Sequence, residues 1–456
     1  MSARDNTSER PTISLRQLHA GQLAAYLALR PHRYMALRCG RRFGKTEFAR
    51  TWIMDGLVRG EICAWFAPQN MTWAEVYTSV FRDLGLLVEN AARNAGVIRF
   101  VDEARLDFWS LANAMPGRGR GYHRIVIDEA AFTEMGDRHT PGSMLHTWET
   151  AIKPTLLDYE GRALVCSNSA GKNPDNFFYA ICTDPAYGFA EYHATTMDNP
   201  VLPKRRPRES DEAWAARRQA EMDSLEADND PLVYAQEYLA EFVDWAGVAF
   251  FSREKLLEDG QPVPWPKLCD GVYAVIDTAL KTGLEHDGTA VTYFASLSTG
   301  GQKRLVILDW DLVQVEGATL ETWLPEVFRQ LDHLAKVCGS RSGSLGAFIE
   351  DKNSGTVLLQ QARRRGLRAT AIESKLTAMG KDERAISVSG YVHRGLVKYS
   401  QPAFDKVVTY KRNTRNHLLD QVEGFQIGDK RANRADDLLD TFCYGIALAL
   451  GDRKGF

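Results

Sequence analysis

Several whole classes of protein are excluded by what this chain lacks. Across 456 residues no uninterrupted apolar run approaches the roughly 18 that a membrane-spanning helix needs. The N-terminal MSARDNTSERPTISLRQ is polar and mixed in charge, without the apolar centre of a secretion signal, so neither a membrane span nor export by an obvious signal is expected. The seven cysteines (Cys39, Cys63, Cys166, Cys182, Cys269, Cys338, Cys443) contain no C-x-x-C pair and are odd in number. That disfavours a zinc cage or a disulfide framework and makes a reducing cytosol the expected compartment. Charge of one sign is missing too: 56 Lys and Arg against 59 Asp and Glu leave a formal −3, which excludes a uniformly basic coat but not a local basic groove. With 44% hydrophobic and 25% charged residues and no internal repeat, neither low-complexity disorder nor a fibre fits. A folded, soluble protein of two or three domains is expected.

The first part of the chain alternates short apolar strands with helical patterns. A helix is expected near Leu18–Leu29, and strands at Tyr34–Arg38, Ile62–Ala67, His123–Ile127 and Arg162–Cys166. This alternation implies a mainly parallel α/β sheet with helices on both faces. Residues 201–230 turn polar, and Ser210 is placed to cap a helix whose first turn holds Asp211 and Glu212, as in a small helical lid or hinge. The turn- and Pro-rich DGQPVPWP at 259–266 is the expected domain boundary. A second α/β unit follows, with strands at Val272–Asp277, Thr289–Phe294, Arg304–Leu308 and Ala347–Glu350 and a closing helix at Ala435–Leu450.

The strand Tyr34–Arg38 runs into CGRRFGKTEFAR. A glycine-rich turn between strand and helix presents backbone N–H groups and the positive end of the helix dipole to phosphate oxygens. Lys45 is placed to reach the β/γ-phosphates, and the Thr46 hydroxyl to ligate Mg²⁺. The usual first glycine of G-x-x-x-x-G-K-[ST] falls on Cys39, with Gly40 one place later. HRIVIDEAAF ends a strand in Asp128, 83 residues after Lys45, and Glu129. One carboxylate there can hold the Mg²⁺ shell and its neighbour can orient and deprotonate an attacking water, so hydrolysis is expected and not binding alone. Ser167, Asn168 and Ser169 end a further strand, where they could sense a γ-phosphate or simply form a polar loop.

The C-terminal half repeats the theme with acids alone. Asp277 ends one strand, Glu350 and Asp351 follow another, and RADDLLD opens the last helix with Asp436, Asp437 and Asp440. Acids from three separated segments can gather a pair of divalent cations, the arrangement that cleaves phosphodiesters; each could equally be a cap or a strand terminus. Residues 361–420 carry 13 Lys and Arg against 5 Asp and Glu, among them Arg363, Arg364, Arg365, Arg368, Lys381, Arg384, Arg394 and Lys398. A phosphate backbone needs such cations, which tilts the balance toward a nuclease.

Together these elements resemble the large terminase subunit of tailed double-stranded-DNA bacteriophages, from about Leu18 to Leu450. The family's Gly-Arg-Arg-x-Gly-Lys-Thr loop matches Gly40–Thr46 (Gly40, Arg41, Arg42, Phe43, Gly44, Lys45, Thr46), which accounts for the displaced glycine. Its Asp-Glu-Ala signature matches Asp128–Ala130 after the Gly/Arg-rich turn Gly117–Gly121, and its coupling motif matches Ser167–Ser169 with Asn176–Tyr179, Asn-Ser standing here for Thr-Pro. The resemblance implies an N-terminal P-loop (RecA/ASCE-like) ATPase over 1–200, a lid and linker over 201–258, where Gln236–Phe242 resembles the segment that precedes the family's linker, and an RNase H-like nuclease over 259–456. It implies that Gln22 reads adenine, that Arg41 meets the γ-phosphate, and that Glu129 is the catalytic carboxylate. It implies ATP with Mg²⁺ at Thr46 and Asp128, and Mg²⁺ or Mn²⁺ at Asp277, Glu350 and Asp437; Asp351 stands as the alternative to Glu350 and Asp436 to Asp437. Asp287 matches a further acid, and Arg138 is the nominee for an arginine finger acting in trans. The implied activity is ATP-driven translocation of duplex DNA into a procapsid with cleavage of the concatemer. The implied partners are DNA, the portal protein, the small terminase subunit, the procapsid and further copies in a ring, all in the host bacterial cytoplasm. A DNA-repair helicase–nuclease and a non-cleaving nucleotide-dependent portal adaptor are the alternatives.

Overall fold

The computed structural model describes residues 15–68, 70–113, 115–133, 143–245, 249–278, 288–313, 320–351, 354–427 and 436–451. The chain divides into two units, Met1–Asp223 with Tyr234–Asp244, and Ser224–Val233 with Trp245–Phe456. All seven cysteines are free thiols, and six are buried. No helix among the described residues is long and apolar enough to cross a membrane.

The first unit is built on eight strands: β1 (Tyr34–Cys39), β2 (Ile62–Ala67), β3 (Val88–Ala92), β4 (Val97–Phe100), β5 (Arg105–Ser110), β6 (Arg124–Asp128), β7 (Arg162–Ser167) and β8 (Phe189–Ala194). Their order is β3-β4-β5-β2-β6-β7-β1-β8, parallel except at the β3–β4–β5 edge. β6 is buried throughout and β7 almost so, which is why both read as unbroken apolar runs. Alternate residues of β1 feed opposite layers. Met35 and Leu37 pack with Phe48, Trp52 and Ile53 of a helix that follows the strand, whereas Ala36 joins Trp148, Phe177 and Phe178 on the other face. The helices used below are α1 (Ala20–Leu29), α2 (Lys45–Val58) and α3 (Asp211–Asp228). α3 begins where the sequence predicts: the Ala213 N–H donates to Ser210 Oγ at 3.2 Å, with Asp211 and Glu212 in the first turn.

The second unit holds a mixed sheet of β9 (Gly271–Asp277), β10 (Thr289–Thr299), β11 (Gln302–Val313), β12 (Ser344–Ile349), β13 (Ala369–Ala371) and β14 (Val397–Tyr399), in the order β13-β12-β9-β10-β11-β14. β9, β10 and β11 are antiparallel neighbours, and β12 runs parallel to β9. Leu324, Leu331 and Leu334 of α4 (Leu320–Val337) and Leu358 of α5 (Ser354–Arg364) share a buried cluster with Val272, Ala274 and Ile276 of β9. Further along come α6 (Lys381–His393), the hairpin β15 (Val408–Tyr410) and β16 (Asn413–Arg415), α7 (His417–Glu423) and α8 (Asp437–Leu450). α8 is nearly all apolar after its first turn and packs on β9 and β10. Tyr273 Oη donates to Gly445 O at 2.7 Å, and the Thr292 and Thr441 hydroxyls meet at 2.7 Å.

The expected boundary at 259–266 lies inside the second unit. Proline stands at 262, 264 and 266, so only alternate residues of this stretch can donate from the backbone. Val263 N–H donates to Tyr399 O at 2.9 Å and its carbonyl accepts from Gln401 N–H at 2.7 Å, while the Trp265 side chain donates through Nε1–H to Leu308 O at 3.0 Å. The proline spacing therefore marks an extended edge segment of the second sheet, not a linker.

The start of β6, which delivers the candidate catalytic acids, is pinned by a buried network. Tyr122 Oη donates to Asp107 Oδ2 at 2.8 Å and accepts from Trp109 Nε1–H at 2.9 Å, and Asp107 also pairs with Arg105 at 3.0 Å. Tyr122→Phe removes the donor to a carboxylate that is only 2% exposed. A loss of about 1.5–3 kcal/mol in the unfolding free energy of this unit is expected by denaturant titration, against under about 0.5 kcal/mol for Tyr159→Phe at the surface.

Candidate functional site

The loop Gly40–Thr46 joins β1 to α2 as the strand–turn–helix pattern requires. Gly44 sits at the helix N-cap with φ +100°, a left-handed conformation that favours glycine. Gly40 is needed for a different reason. A side chain there would fall on the carbonyl of Tyr238 and lie 2.7 Å from Thr196 N, so the loop is pressed against two neighbouring segments. Cys39, where G-x-x-x-x-G-K-[ST] has its first glycine, is buried, and its carbonyl accepts from Lys45 Nζ at 3.1 Å. The first N–H groups of α2 face the loop without intrahelical acceptors. With Lys45, Arg41 and the exposed Arg42 they form a donor set suited to a triphosphate.

Asp128 ends β6, and the Thr46 hydroxyl donates to its Oδ2 at 3.3 Å, which brings the two expected Mg²⁺ ligands together. Burial, and then the charge of Glu129, push the Asp128 carboxyl up to about 7, against the pull of Lys45 and of hydrogen bonds from the Glu129 N–H and Thr46. A surplus of buried negative charge beside a hydroxyl fits a hard divalent cation. Glu129 is half-buried, with φ 52° and ψ 42°, so a non-glycine residue is held in left-handed backbone directly after the strand.

Gln22 is committed on both sides. Its Oε1 accepts from His19 N–H at 3.1 Å and its Nε2 donates to Gly44 O at 2.9 Å, while His19 Nε2 donates to Phe43 O at 2.9 Å. The structure therefore places Gln22 and His19 as struts from α1 to the phosphate loop. The three residues of the expected coupling motif are all buried and each is engaged. Ser167 Oγ accepts from Ala131 N–H at 3.2 Å, Asn168 Nδ2 donates to Glu237 Oε2 at 2.9 Å, and Ser169 Oγ accepts from Gly171 N–H at 3.1 Å.

Glu237 is a residue the sequence reading did not single out. It is 1% exposed, and its Oε2 also receives the Arg41 guanidinium. One buried carboxylate thus joins the phosphate loop, through Arg41, to the end of β7, through Asn168. Its signal in the sequence was an acid in the apolar segment PLVYAQEYLA, within the family-like stretch Gln236–Phe242. Arg138, the nominated finger, lies outside the described residues, as does Asp287.

In the second unit Asp277 ends β9, Glu350 directly follows β12, and Asp437 opens α8. Glu350 N–H donates to Ile276 O at 3.2 Å, which sets it beside the end of β9, and its Oε1 accepts from Tyr444 Oη at 3.2 Å. Asp437 is 5% exposed and accepts from Gly288 N–H at 3.1 Å; Gln421 of α7 caps its helix by accepting from Leu438 N–H at 2.7 Å. Burial first, then the charges of Asp440, Glu350 and Asp437, hold the Asp277 carboxyl well above the usual carboxylate range. Asp440 is therefore a member of the cluster, beside the three nominated acids.

The alternatives separate by geometry. Asp351 is exposed and accepts from Thr356 Oγ1 at 2.6 Å, and Asp436 is paired with Lys381. Among the described residues no three His, Cys, Asp or Glu side chains stand in a finished ligand arrangement. The like charges relieve one another by a hydrogen bond between Asp277 and Glu350 and an ion pair from Asp440 to Arg384. A set of carboxylate oxygens with excess negative charge nonetheless fits a hard divalent cation. The basic stretch divides in the same way. Arg384 is buried and Lys398 Nζ donates to the carbonyls of Lys255 and Leu257, whereas Arg363, Arg364, Arg365 and Arg368 are exposed.

The raised Asp128 carboxyl gives a pH signature. Between about pH 4 and about pH 7 the folded state keeps a proton that the unfolded chain has released, so stability contributed at this position falls as pH rises through that window. Asp128→Asn cannot ionise. Its melting temperature relative to the native chain is expected to climb by several degrees between pH 4.5 and pH 7.5, and Mg²⁺ with a non-hydrolysable ATP analogue should narrow that gap. A gap independent of pH contradicts the assignment.

No family model matches the chain. A curated relative, the large terminase subunit of Escherichia phage T5, is 27% identical over 174 residues, which is 37% of this chain and 38% of that protein, so the match spans well under half of the relative's length. Among solved structures, the large terminase of a thermophilic bacteriophage superposes with a TM-score of 0.62 at 12% identity, covering 96% of this chain and 100% of that one; a second crystal form of it gives 0.61 at 12% identity over 95% and 100%. The α/β architecture and the order of its parts are those the motifs led us to expect. Over nearly its whole length the chain has the fold of the large terminases.

Proposed function

We propose that the chain is a packaging motor of the large-terminase kind, in which the first unit hydrolyses ATP to move duplex DNA into a procapsid and the second unit cuts the concatemer. The observation that carries this is the pairing, in one chain, of a phosphate loop whose Thr46 hydroxyl meets Asp128 with a separate cluster of buried carboxylates around Asp277. At the first site, Mg²⁺ held by Thr46 and Asp128 would offset the charge of the triphosphate. Lys45 leaves the Cys39 carbonyl for the β/γ-phosphates, and Glu129, aimed by its left-handed backbone, orients a water and accepts its proton. Arg41, which Glu237 holds through Nε, would tie a γ-phosphate to that carboxylate. Nucleotide binding and loss are thereby felt by Asn168 and, through Ser167, by the Asp128–Ala131 turn.

At the second site, Mg²⁺ or Mn²⁺ held by Asp277, Glu350 and Asp437 would activate water on one side of a phosphodiester and stabilise the leaving oxygen on the other. The chain supplies the setting: Tyr444 fixes Glu350, Gln421 fixes the start of α8, and exposed arginines at 363–368 offer charge to the backbone of duplex DNA. The hairpin β15–β16 adds Lys411 and Arg412 at a two-residue turn in which both have positive φ. The portal protein, the small terminase subunit, the procapsid and further copies of the chain in a ring are the partners this work requires, in the host bacterial cytoplasm.

Two variants separate the activities. Lys45→Ala should lower ATP hydrolysis at least about a hundredfold while leaving Mn²⁺-dependent plasmid cleavage intact, and Asp277→Asn should do the reverse. Absence of cleavage by the native chain with Mg²⁺ or Mn²⁺ at any salt favours a nucleotide-dependent portal adaptor. Displacement of a labelled strand favours a helicase–nuclease.

A further inference from the structure

The carboxylate cluster has a cation of its own. Arg384, on α6, is 5% exposed. One terminal nitrogen pairs with the Asp440 carboxylate, the other donates to Met379 O at 3.0 Å, and the guanidinium lies 4.2 Å from the centroid of the Tyr444 ring. Its Nε is buried and has no hydrogen-bond partner among the described residues. Asp440 and Tyr444 are four residues apart on α8 and so share one face, and Tyr444 Oη donates to Glu350. A single guanidinium therefore touches one acid of the cluster directly and a second through the ring that holds it.

A plain structural ion pair between α6 and α8 would add little stability here. Burying a guanidinium with one nitrogen unsatisfied sacrifices much of the hydration that its attraction to one carboxylate recovers. The pair stands where four carboxylates, Asp277, Glu350, Asp437 and Asp440, converge, and Lys381, one turn earlier on α6, likewise takes Asp436. The cations of α6 thus meet the acids of the DDLLD segment one for one, except at Asp437, which receives the Gly288 N–H.

We propose that Arg384 is a resident counter-ion of the nuclease cluster that competes with divalent metal for Asp440, so that metal loading exchanges the guanidinium for the ion at that carboxylate. This rests on the nuclease assignment above. In the metal-free chain Arg384 keeps the acids from driving one another apart. In the loaded chain it is released from Asp440 beside the cluster, with its donors turned toward whatever phosphate the metals hold.

Direct Mn²⁺ binding by the full-length chain, without nucleotide or DNA, tests the exchange, read by calorimetry and by the electron paramagnetic resonance signal of free Mn²⁺. Arg384→Gln should bind Mn²⁺ about tenfold more tightly than the native chain, since a nearby charge shifts ionic equilibria by one or more powers of ten. Arg384→Lys, which keeps the charge, should stay near the native affinity, and adding Asp440→Asn to Arg384→Gln should abolish the gain. Asp440→Asn alone should weaken binding, which guards against an Arg384→Gln chain that fails to fold. Equal or weaker binding by a folded Arg384→Gln chain, or a native Mn²⁺ affinity in Asp440→Asn, overturns the exchange. If the native chain binds no more Mn²⁺ than Asp277→Asn does, the nuclease assignment itself falls, and the exchange with it.

Discussion

Both candidate sites depend on one electrostatic constraint: a carboxylate delivered at the C-terminal end of a buried central strand of a low-dielectric sheet. β6 ends in Asp128 and β9 in Asp277, and each strand is packed on both faces up to its last residues. The strand fixes where the acid stands, and the apolar layers remove the water that would otherwise solvate its charge. The compensating groups nearby are donors and cations: Thr46 and Lys45 around Asp128, and Arg384, by way of Asp440, around Asp277. Sites built in this way are poised for a divalent ion because the protein's own compensation is incomplete.

The two units use the constraint differently. In the first, charge compensation is linked in series, from the phosphate loop through Arg41 and Glu237 to Asn168, so a change at one end alters what the other end holds. In the second it is gathered around a helix, α8, whose first turn supplies two of the acids, Asp437 and Asp440, and whose third turn supplies Tyr444 as a prop. The serial arrangement suits a cycle of binding and release, and the gathered one suits a fixed pocket.

Local features made much of this legible. Strands buried on both faces had to be short apolar runs, and the expected strands His123–Ile127 and Val272–Asp277 lie within a residue of the observed ones. The phosphate loop, the acid pair after β6 and the three acidic segments were visible because their chemistry is concentrated in a few consecutive residues. The pairings of Glu237 and Arg384 were not, since the partners lie 196 residues away at Arg41 and in a separate helix at Asp440. An ion pair that distant leaves no pattern in a local window. The 259–266 segment misled for the opposite reason: its composition is that of a linker, yet the Val263 backbone and the Trp265 indole between its prolines both bond to the second sheet. The long β10–β11 hairpin was read too short, although the paired glycines at 300 and 301, both with positive φ, mark its turn.

The backbone of Glu129 narrows what evolution can place there. Left-handed geometry is open to glycine and tolerated by asparagine or aspartate, yet glycine carries no carboxylate, asparagine carries no charge, and aspartate holds its carboxylate one methylene closer to the backbone. On the role proposed for Glu129, a mutational path away from glutamate meets either lost chemistry or lost reach at its first step, and relief of backbone strain comes there only at the expense of that role.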